Sequence, residues 1–268
     1  MSTANPYLPQ KAEIIDIIQE TTSPDLDIKT FRLKFENSGG LDFMPGQFVQ
    51  LSIPGVGEAT FGFASSPLEK GYIELTIKKV GSVTEAVHYL KVGDYVWIRG
   101  PFGNTFPVEK FEGSKIFIVA GGLGLAPLRP LIKYMFGNRE KFDEIEMLLA
   151  ARTPEDHVFR WELEDWRAVE NTKITLTIDR PVDGWNEKVG FPHILVQDME
   201  VDVKNTYAVL CGPPIMIKAL SNALVEKGFP REKIYTTLEM RMTCGLGKCG
   251  KCNIGHQYVC IDGPVFSM

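Results

Sequence analysis

Apolar and polar residues alternate over much of the first hundred positions. The period of two is typical of strands with one buried face, and it covers residues 28–35, 48–53, 72–78 and 95–99. Turn-forming residues separate these segments, at Asn37–Gly40, Pro54–Gly55, Gly71 and Gly93–Asp94. Short strands at this spacing predict a closed β barrel or a β sandwich. One helix is expected to interrupt it, from Val83 to Leu90.

Beyond residue 115 the pattern changes to continuous apolar runs that alternate with helical segments. A polar joint at Phe111–Lys115 precedes the run Ile116–Ala120, which is typical of a parallel strand buried on both faces. Further strands are predicted at 146–151, 173–178 and 206–211, and helices at 127–136, 155–166 and 214–227. This alternation predicts a doubly wound α/β sheet. A cysteine-containing tail follows from about Ile234.

Size and charge limit the possible classes of protein. The 268 residues, 44% of them hydrophobic, suffice for two domains with cores of their own. The formal net charge of -5 argues against a general nucleic-acid surface. The longest apolar stretches are too short to cross a bilayer, and the polar N-terminus lacks a hydrophobic signal segment. We therefore expect a cytoplasmic protein without a membrane span and without a nucleic-acid partner.

Four of the five cysteines lie close together near the end of the chain. Cys244, Cys249, Cys252 and Cys260 have the spacing C-x4-C-x2-C-x7-C. The first three match the plant-type ferredoxin run, whose thiolates hold a [2Fe–2S] cluster. Glycines lie between or beside them, and glycine lets the backbone wrap closely around inorganic sulfide. The spacing therefore favours an iron–sulfur centre.

Other interpretations of these cysteines compete with it. A structural zinc site also uses four thiolates, usually as two C-x2-C pairs, but only Cys249 and Cys252 form such a pair. A disulfide needs an oxidising compartment, and ordinary buried cysteines do not cluster. The histidines show no metal-ligand spacing; His256 lies in the tail and would be a ligand only in a Rieske-like centre.

Two turns after predicted strands indicate a dinucleotide site. Gly121-Gly122-Leu123-Gly124 joins a buried strand to a helix, where small residues let a pyrophosphate approach the backbone. The sequence then departs from G-x-G-x-x-G, because Ala126 and Pro127 follow. Cys211-Gly212-Pro213-Pro214 ends a second strand, at the edge where open α/β sheets bind ligands. Either turn alone is compatible with a purely structural role; the two in this order are more specific.

These motifs and three others resemble a known family. GGLGLAPL at 121–128 and CGPPIMIK at 211–218 resemble the pyridine-nucleotide domain of the ferredoxin–NADP reductase superfamily. RGPFGNTFP at 99–107 resembles the end of its flavin barrel, and GSVTEAVHYL at 81–90 the turn that receives the flavin pyrophosphate. The tail CGLGKCGKC…CIDGPVF resembles the subgroup with a C-terminal [2Fe–2S] cluster. That subgroup includes the electron-transfer subunit of dihydroorotate dehydrogenase, the γ subunit of cytosolic sulfhydrogenases and one of the subunits of anaerobic sulfite reductase.

The resemblance implies three groups of cofactor-binding residues and no catalytic residue of the protein itself. The FAD group comprises Phe61, Gly62, Phe63, Ala64, Thr76, Lys78, Gly81, Ser82, Val83 and Thr84. The NAD(P)H group comprises Gly121, Gly122, Gly124, Ala126, Pro127, Arg152, Cys211, Gly212, Pro213 and Pro214, with Cys211 near the nicotinamide. The cluster ligands are Cys244, Cys249, Cys252 and Cys260.

Two positions bear on cofactor choice. The family's flavin strand usually contains Arg-x-[Tyr/Ile/Phe]-[Ser/Thr], but residues 59–62 are Ala-Thr-Phe-Gly, which lacks the arginine and the hydroxyl. Lys78 and Lys79 either supply the missing charge or form a solvated strand end. Arg152 is suited to a 2′-phosphate or to stacking on adenine, whereas the acidic residues that follow it favour NAD over NADP.

The predicted function is that of an electron-transfer flavoprotein subunit, an NAD(P)H-dependent oxidoreductase. It moves electrons between NAD(P)H, FAD and a [2Fe–2S] cluster, and on to a partner redox subunit of hydrogenase or sulfur/sulfite-reductase type. The expected domains are an FAD-binding β barrel (1–110), an NAD(P)-binding α/β domain (111–235) and a C-terminal iron–sulfur loop segment (236–268). The alternatives are a self-contained NAD(P)H–ferredoxin reductase and a flavin-less iron–sulfur assembly or scaffold subunit.

Overall fold

A computed structural model describes residues 5–36 and 40–268, and its first part is an antiparallel six-stranded sheet. The predicted turn residues Asn37 to Gly39 lie outside the described residues. The strands of this sheet are β1 (Gln10–Gln19), β2 (Ile28–Phe35), β3 (Phe48–Ile53), β4 (Gly57–Gly62), β5 (Ile73–Lys78) and β6 (Tyr95–Phe102).

The sheet curls into a barrel-like form, which confirms the first predicted domain type. Its strand order is β4-β3-β6-β1-β2-β5. The two edge strands approach each other, since the amide of Ala64, just after β4, donates to the carbonyl of Glu74 on β5 at 2.8 Å. The apolar residues of the period-two pattern, including Phe31, Leu33 and Val49, fill the interior. Helix α1 (Ser82–Tyr89) packs against β3 and β4.

The second sheet is parallel except at one edge, and helices cover both of its faces. Its strand order is β10-β9-β8-β7-β11-β12-β15. The strands are β7 (Lys115–Gly121), β8 (Ile145–Ala151), β9 (Thr172–Ile178), β10 (Lys188–Val189), β11 (Thr206–Cys211), β12 (Ile234–Thr237) and β15 (Val265–Ser267). The helices are α2 (Val108–Phe111), α3 (Leu125–Gly137), α4 (Leu163–Arg167), α5 (Pro192–Asp198) and α6 (Pro214–Glu226). This arrangement confirms the doubly wound prediction.

The single helix predicted at 155–166 is wrong. Short 3-10 turns occupy Pro154–Asp156 and Arg160–Glu162, and only α4 is α-helical. Phe159 breaks the segment because its backbone is left-handed, with φ of 56°, while its side chain is fully buried. Its amide donates to Glu20 Oε2 of the barrel at 2.7 Å. A long-range contact therefore overrides the local helical pattern.

The tail is not only a loop. β12 is a strand of the second sheet, and the chain returns as β15 to pair antiparallel with it. Between them the cysteine-containing segment forms a small hairpin of β13 (Asn253–Ile254) and β14 (Gln257–Tyr258). The domain limits expected at 110 and 235 stay a prediction. No helix within 5–36 and 40–268 is long and apolar enough to cross a membrane.

Candidate functional site

The two predicted nucleotide turns lie side by side at the carboxyl ends of β7 and β11. These strands are parallel neighbours, with Ala120 opposite Cys211. A methyl group on Gly124 would come within 2.5 Å of the Cys211 carbonyl oxygen. A side chain on Gly212, whose φ is +155°, would lie 3.2 Å from Gly121. Only glycine permits these approaches, and the point where strand order reverses is where such sheets bind ligands.

Gly122 provides room for a bound group. Its φ is +53°, and a methyl group built on it meets nothing within 4 Å. It stands just before α3, whose N-terminal amides favour an anion. Ala126 is buried behind the turn, and Pro213 and Pro214 stand exposed at the start of α6 across from it. The open space beside a helix N-terminus fits a pyrophosphate.

Cys211 is held as a neutral thiol. It is buried, and this burial raises its pKa to about 12. The hydroxyl of Thr237, on β12, donates to its Sγ at 3.0 Å. The side chain is therefore suited to positioning a ligand rather than to nucleophilic attack. The sequence pattern does not reveal Thr237, because it places the residue in the tail rather than in a strand beside Cys211.

Arg152 lies apart from the turns, at the carboxyl end of β8. Its Nε donates to Asp156 Oδ2 at 3.0 Å, and 62% of its side chain is exposed. Asp156 is buried, and its second oxygen has no hydrogen-bond partner among the described residues. The guanidinium is thus anchored at one nitrogen, with its remaining donors toward solvent.

The predicted flavin strand comprises the end of β4 and the residues after it, from Phe61 to Ala64. These four residues differ in their burial. Phe61 and Gly62 are half-buried. Phe63 is in the barrel core, where its ring stacks on Phe43 at a centroid distance of 3.8 Å. Ala64 is fully buried, and its carbonyl accepts from Arg129 at 2.5 Å. The Phe61 side chain and the Gly62 backbone are therefore available to a ligand, and the side chains of Phe63 and Ala64 are not.

Buried polar atoms near this strand support a bound group. Gln50 on β3 and Thr60 on β4 are opposite each other in the ladder. The Gln50 amide and the Thr60 hydroxyl are buried without a hydrogen-bond partner in the described part of the chain. Buried polar atoms of this kind ordinarily find a partner, so a polar ligand fits here.

The α1 turn offers a second contact. Thr84 Oγ1 accepts from the amides of Val80 and Gly81, both at 2.9 Å, so its hydroxyl shapes the turn. Gly81 and Ser82 are exposed at the helix N-terminus, and Val83 lies against Gly57 of β4. Lys78 is exposed, whereas Thr76 is buried against Thr30 at 2.8 Å. The helix N-terminus and Lys78 fit a phosphate group.

The four tail cysteines lie in one segment as two pairs. Beyond the effect of burial, Cys249 contributes to lowering the pKa of Cys244, and Cys252 to raising that of Cys260, so the two thiols of each pair lie close together. Across residues 5–36 and 40–268, no three or more His, Cys, Asp or Glu side chains converge as they do around a single metal ion. Zinc requires four ligands around one point, whereas a [2Fe–2S] cluster takes two thiolates at each iron. The pairs therefore fit the dinuclear cluster.

Backbone amides surround these sulfurs. Leu246 and Lys248 donate to Cys244 Sγ at 3.4 and 3.3 Å, and Gly247 donates to Cys260 Sγ at 3.1 Å. Burial opposes ionisation of Cys244, but the backbone hydrogen bonds lower its pKa to about 6. Burial and the Cys252 thiol raise the pKa of Cys260 to about 12. Donors aimed at sulfur stabilise the negative charge of an iron–sulfur centre.

The cysteine segment is attached to the barrel. Cys252 and Cys260 pack against Phe48 and Phe102. The Asn104 amide nitrogen donates to the carbonyls of Asp262 and Val265, both at 2.8 Å, and its oxygen accepts from the Val265 amide at 3.0 Å. A side chain on Gly245 would meet the Phe102 ring at 2.8 Å. The sulfurs thus lie against the end of β6.

Comparison with known proteins identifies each part of the chain. The oxidoreductase FAD-binding domain matches residues 16–106, and the oxidoreductase NAD-binding domain matches residues 118–222. The iron–sulfur cluster binding domain of dihydroorotate dehydrogenase B matches residues 239–268. The predicted cofactors, FAD, NAD(P)H and an iron–sulfur cluster, are confirmed at this level. The individual site residues stay predictions.

Whole-chain relatives agree with this division. Sulfhydrogenase 1 subunit gamma of Pyrococcus furiosus is 42% identical and covers 100% of this chain and 93% of its own length. A probable dihydroorotate dehydrogenase B (NAD(+)) electron transfer subunit of the same organism is 36% identical, covering 93% and 88%. A chain from the NADH-dependent reduced ferredoxin–NADP oxidoreductase structure superposes with a TM-score of 0.76 at 25% identity, covering 96% and 87%. The chain therefore belongs to the ferredoxin reductase-type family of FAD- and NAD-binding oxidoreductases that carry an iron–sulfur domain, and it is an electron-transfer flavoprotein subunit.

Proposed function

We propose that electrons pass from NAD(P)H through FAD to a [2Fe–2S] cluster held by Cys244, Cys249, Cys252 and Cys260, and from there to a partner subunit. The position of β4 carries this proposal. At one end Gly62 lies against Pro127 of the nucleotide turn, where a methyl group would meet the proline Cβ at 3.2 Å. At the other end Glu58 binds Arg99, which also donates to the carbonyl of Cys244 at 3.3 Å. The flavin strand thus contacts the nucleotide turn directly and reaches the cluster segment through Arg99.

The residues of the chain hold and separate the redox groups. When bound, FAD would supply the change from two-electron chemistry at the nicotinamide to one-electron chemistry at the cluster. Gly122 and the α3 N-terminus hold the nucleotide pyrophosphate, and neutral Cys211 supports the nicotinamide end. Phe61, Gly62 and the α1 turn face the flavin. Phe48 and Phe102 exclude water from one side of the cluster segment.

The partner binds at the cluster. Cys249 is exposed, and Ile254 and Ile261 nearby are 41% and 50% exposed. Because the relatives include subunits of a sulfhydrogenase and of a dihydroorotate dehydrogenase, the partner is another redox subunit, of hydrogenase or sulfur/sulfite-reductase type. Cluster thiolates also need a reducing compartment, which supports the cytoplasm as the location.

The nucleotide is NAD rather than NADP. Asp156 lies beside Arg152, and Glu155 is exposed at the same turn. Their negative charge opposes the binding of a 2′-phosphate, although the two terminal nitrogens of Arg152 stay exposed. NADH is therefore expected to reduce the protein with a lower apparent Kd than NADPH.

One preparation tests the whole proposal. Purified protein should release stoichiometric FAD on acid extraction and contain two irons per chain, the composition of a [2Fe–2S] cluster. Anaerobic NADH should bleach the flavin absorbance and produce the cluster signal in electron paramagnetic resonance. Cluster without flavin would support the scaffold alternative instead. Full turnover with a diffusing ferredoxin, without any stable complex from the source cell, would support the self-contained reductase.

A further inference from the structure

Arg129 is the largest fully buried side chain of the described residues. Its hydrogen-bond partners come from both the barrel and the nucleotide domain. It lies on α3 and is 1% exposed. Its Nε and Nη2 donate to the two oxygens of Glu162 at 2.5 and 2.8 Å, within the nucleotide domain. Its Nη1 donates to Glu74 Oε2 and to the Ala64 carbonyl of the barrel, both at 2.5 Å. One guanidinium therefore ties the two domains together.

The charge of Arg129 is fully matched. Burial opposes the cation, but the hydrogen bonds and charges of Glu162 and Glu74 hold its pKa above the ordinary value. Phe159 and Trp161 stack near the guanidinium, with centroids at 4.6 and 5.4 Å. Salt bridges around it join Arg32, Arg129 and Lys133 to Glu69, Glu74 and Glu162, and Arg32 also binds Asp16. Buried charges persist only when they are paired in this way.

Besides the bond to Glu74, α3 contacts one short stretch of the barrel, residues 62–69. Pro127 lies on Gly62, Arg129 bonds to Ala64, and Lys133 bonds to Glu69 at 2.7 Å. Gly137, at the end of α3, faces the side chain of Leu68 so closely that a methyl group there would clash. Arg129, Lys133 and Gly137 are four residues apart and share one face of the helix. This face of α3 runs along residues 62–69, which begin at the flavin strand.

We infer that Arg129 is a positioning residue for reduction of the flavin by the nicotinamide. The inference rests on the proposed function of the two sites. α3 begins at the nucleotide turn and is fixed by Arg129 to Ala64, two residues from Gly62. The hydrogen bonds of Arg129 to Ala64, Glu74 and Glu162, the Arg129 clamp, therefore set the distance and angle between nicotinamide and flavin. In that step two electrons and one proton leave the nicotinamide for the flavin, and a second proton comes from solvent.

The test compares four variants of the full chain with bound cofactors. Arg129→Lys keeps the charge but cannot make all four bonds. Arg129→Met combined with Glu74→Gln and Glu162→Gln removes the clamp without leaving a buried unpaired charge. Arg167→Gln is the matched control, because Arg167 also binds two glutamates, Glu164 and Glu187, but both lie within the nucleotide domain. Arg129→Met alone is included as the harshest variant.

The expected results separate positioning from folding. FAD content and nucleotide Kd should stay within about threefold of wild type, while the limiting rate of flavin reduction in stopped flow falls about 10- to 100-fold in the triple variant. Arg129→Lys should fall in between, and Arg167→Gln should match wild type. Hydrogen–deuterium exchange should speed up in 62–69 and in α3 of the triple variant. Long-wavelength charge-transfer absorbance between nicotinamide and flavin should weaken in parallel.

Two results would overturn the inference. One is a wild-type limiting rate in the triple variant; the other is unchanged exchange at 62–69 and α3. Failure of the proposed function looks different, because wild-type protein would then lack FAD or would not be reduced by NAD(P)H. Exchange needs no turnover, so it still decides whether Arg129 joins the domains.

Discussion

Gly122 combines an unusual backbone conformation with open space, and this makes it the sharpest single-residue test of the nucleotide site. Gly122→Val should raise the Kd for NAD(P)H at least 10-fold, because the branched side chain fills the space left for the pyrophosphate. FAD and iron content should not change. The measurement is stopped-flow flavin reduction across nucleotide concentrations.

Gly113 provides the control for backbone strain. Its φ is +70°, and a methyl group there also meets nothing within 4 Å, but it lies at the joint between the domains. Both valine variants should therefore lose a similar stability, about 1–2 kcal/mol. If Gly122→Val and Gly113→Val bound nucleotide equally well, the turn would not be the pyrophosphate site.

At this scale, sequence predicts residues whose roles depend on spacing along the chain. The four cysteines and the two glycine turns are local patterns; the structure places the two turns side by side and keeps the cysteines in one short segment. The roles of Thr237 and Arg129 are not predicted from sequence, because their partners Cys211 and Ala64 are 26 and 65 positions away along the chain. Position along the chain assigns Phe63 and Ala64 to the flavin group, but their side chains face inward. Only the fold decides which way a side chain points after an edge strand.

The attachment of the cysteine segment to the barrel is the feature to test at the scale of elements. Asn104→Ala should release the segment from the end of β6, because three side-chain hydrogen bonds to 262–265 are lost. At about 0.5–1.5 kcal/mol for each of the three bonds, the segment should lose about 1.5–4.5 kcal/mol of local stability. Iron removal by a chelator should then be about 10-fold faster, with FAD retained.

Asn138→Ala is the matched control for this prediction. The Asn138 amide donates to the Tyr134 carbonyl at 2.9 Å, a local bond at the end of α3. Its loss should not change iron release. Equal release rates in Asn104→Ala and wild type would mean that other contacts hold the cysteine segment on the barrel.

Elements are predictable where pattern and fold agree. The strands Ile28–Phe35, Phe48–Ile53 and Thr206–Cys211 have the predicted limits, because alternation or apolar runs there match real burial. The helix expected at 155–166 is wrong since Phe159 is drawn into the interface with the barrel. β15 is not predicted from sequence, because a strand of three residues is too short to show a periodic pattern.

Over the whole molecule, the flavin strand lies between the nucleotide turn and the cysteine segment. α3 lies on one end of the flavin segment and the cysteine segment lies near the other, so the flavin strand separates the nucleotide from the cluster. Each end should be separable by mutation, which a single shared active site would not allow.

Cys249→Ser tests this separation in the complete chain. Serine is a poorer ligand for iron than thiolate, so the [2Fe–2S] signal of dithionite-reduced protein should be lost or strongly weakened in electron paramagnetic resonance. Reduction of flavin by NADH should continue within about twofold of wild type, because the flavin and nucleotide residues lie on other elements. Reduced flavin should then accumulate, and electron transfer to the native partner subunit should stop. Asn253→Ser places the same residue at an exposed position of the same segment and should keep both the signal and the transfer. If Cys249→Ser lost the signal and still reduced the partner at the wild-type rate, electrons would leave from the flavin, and the cluster would not be the exit.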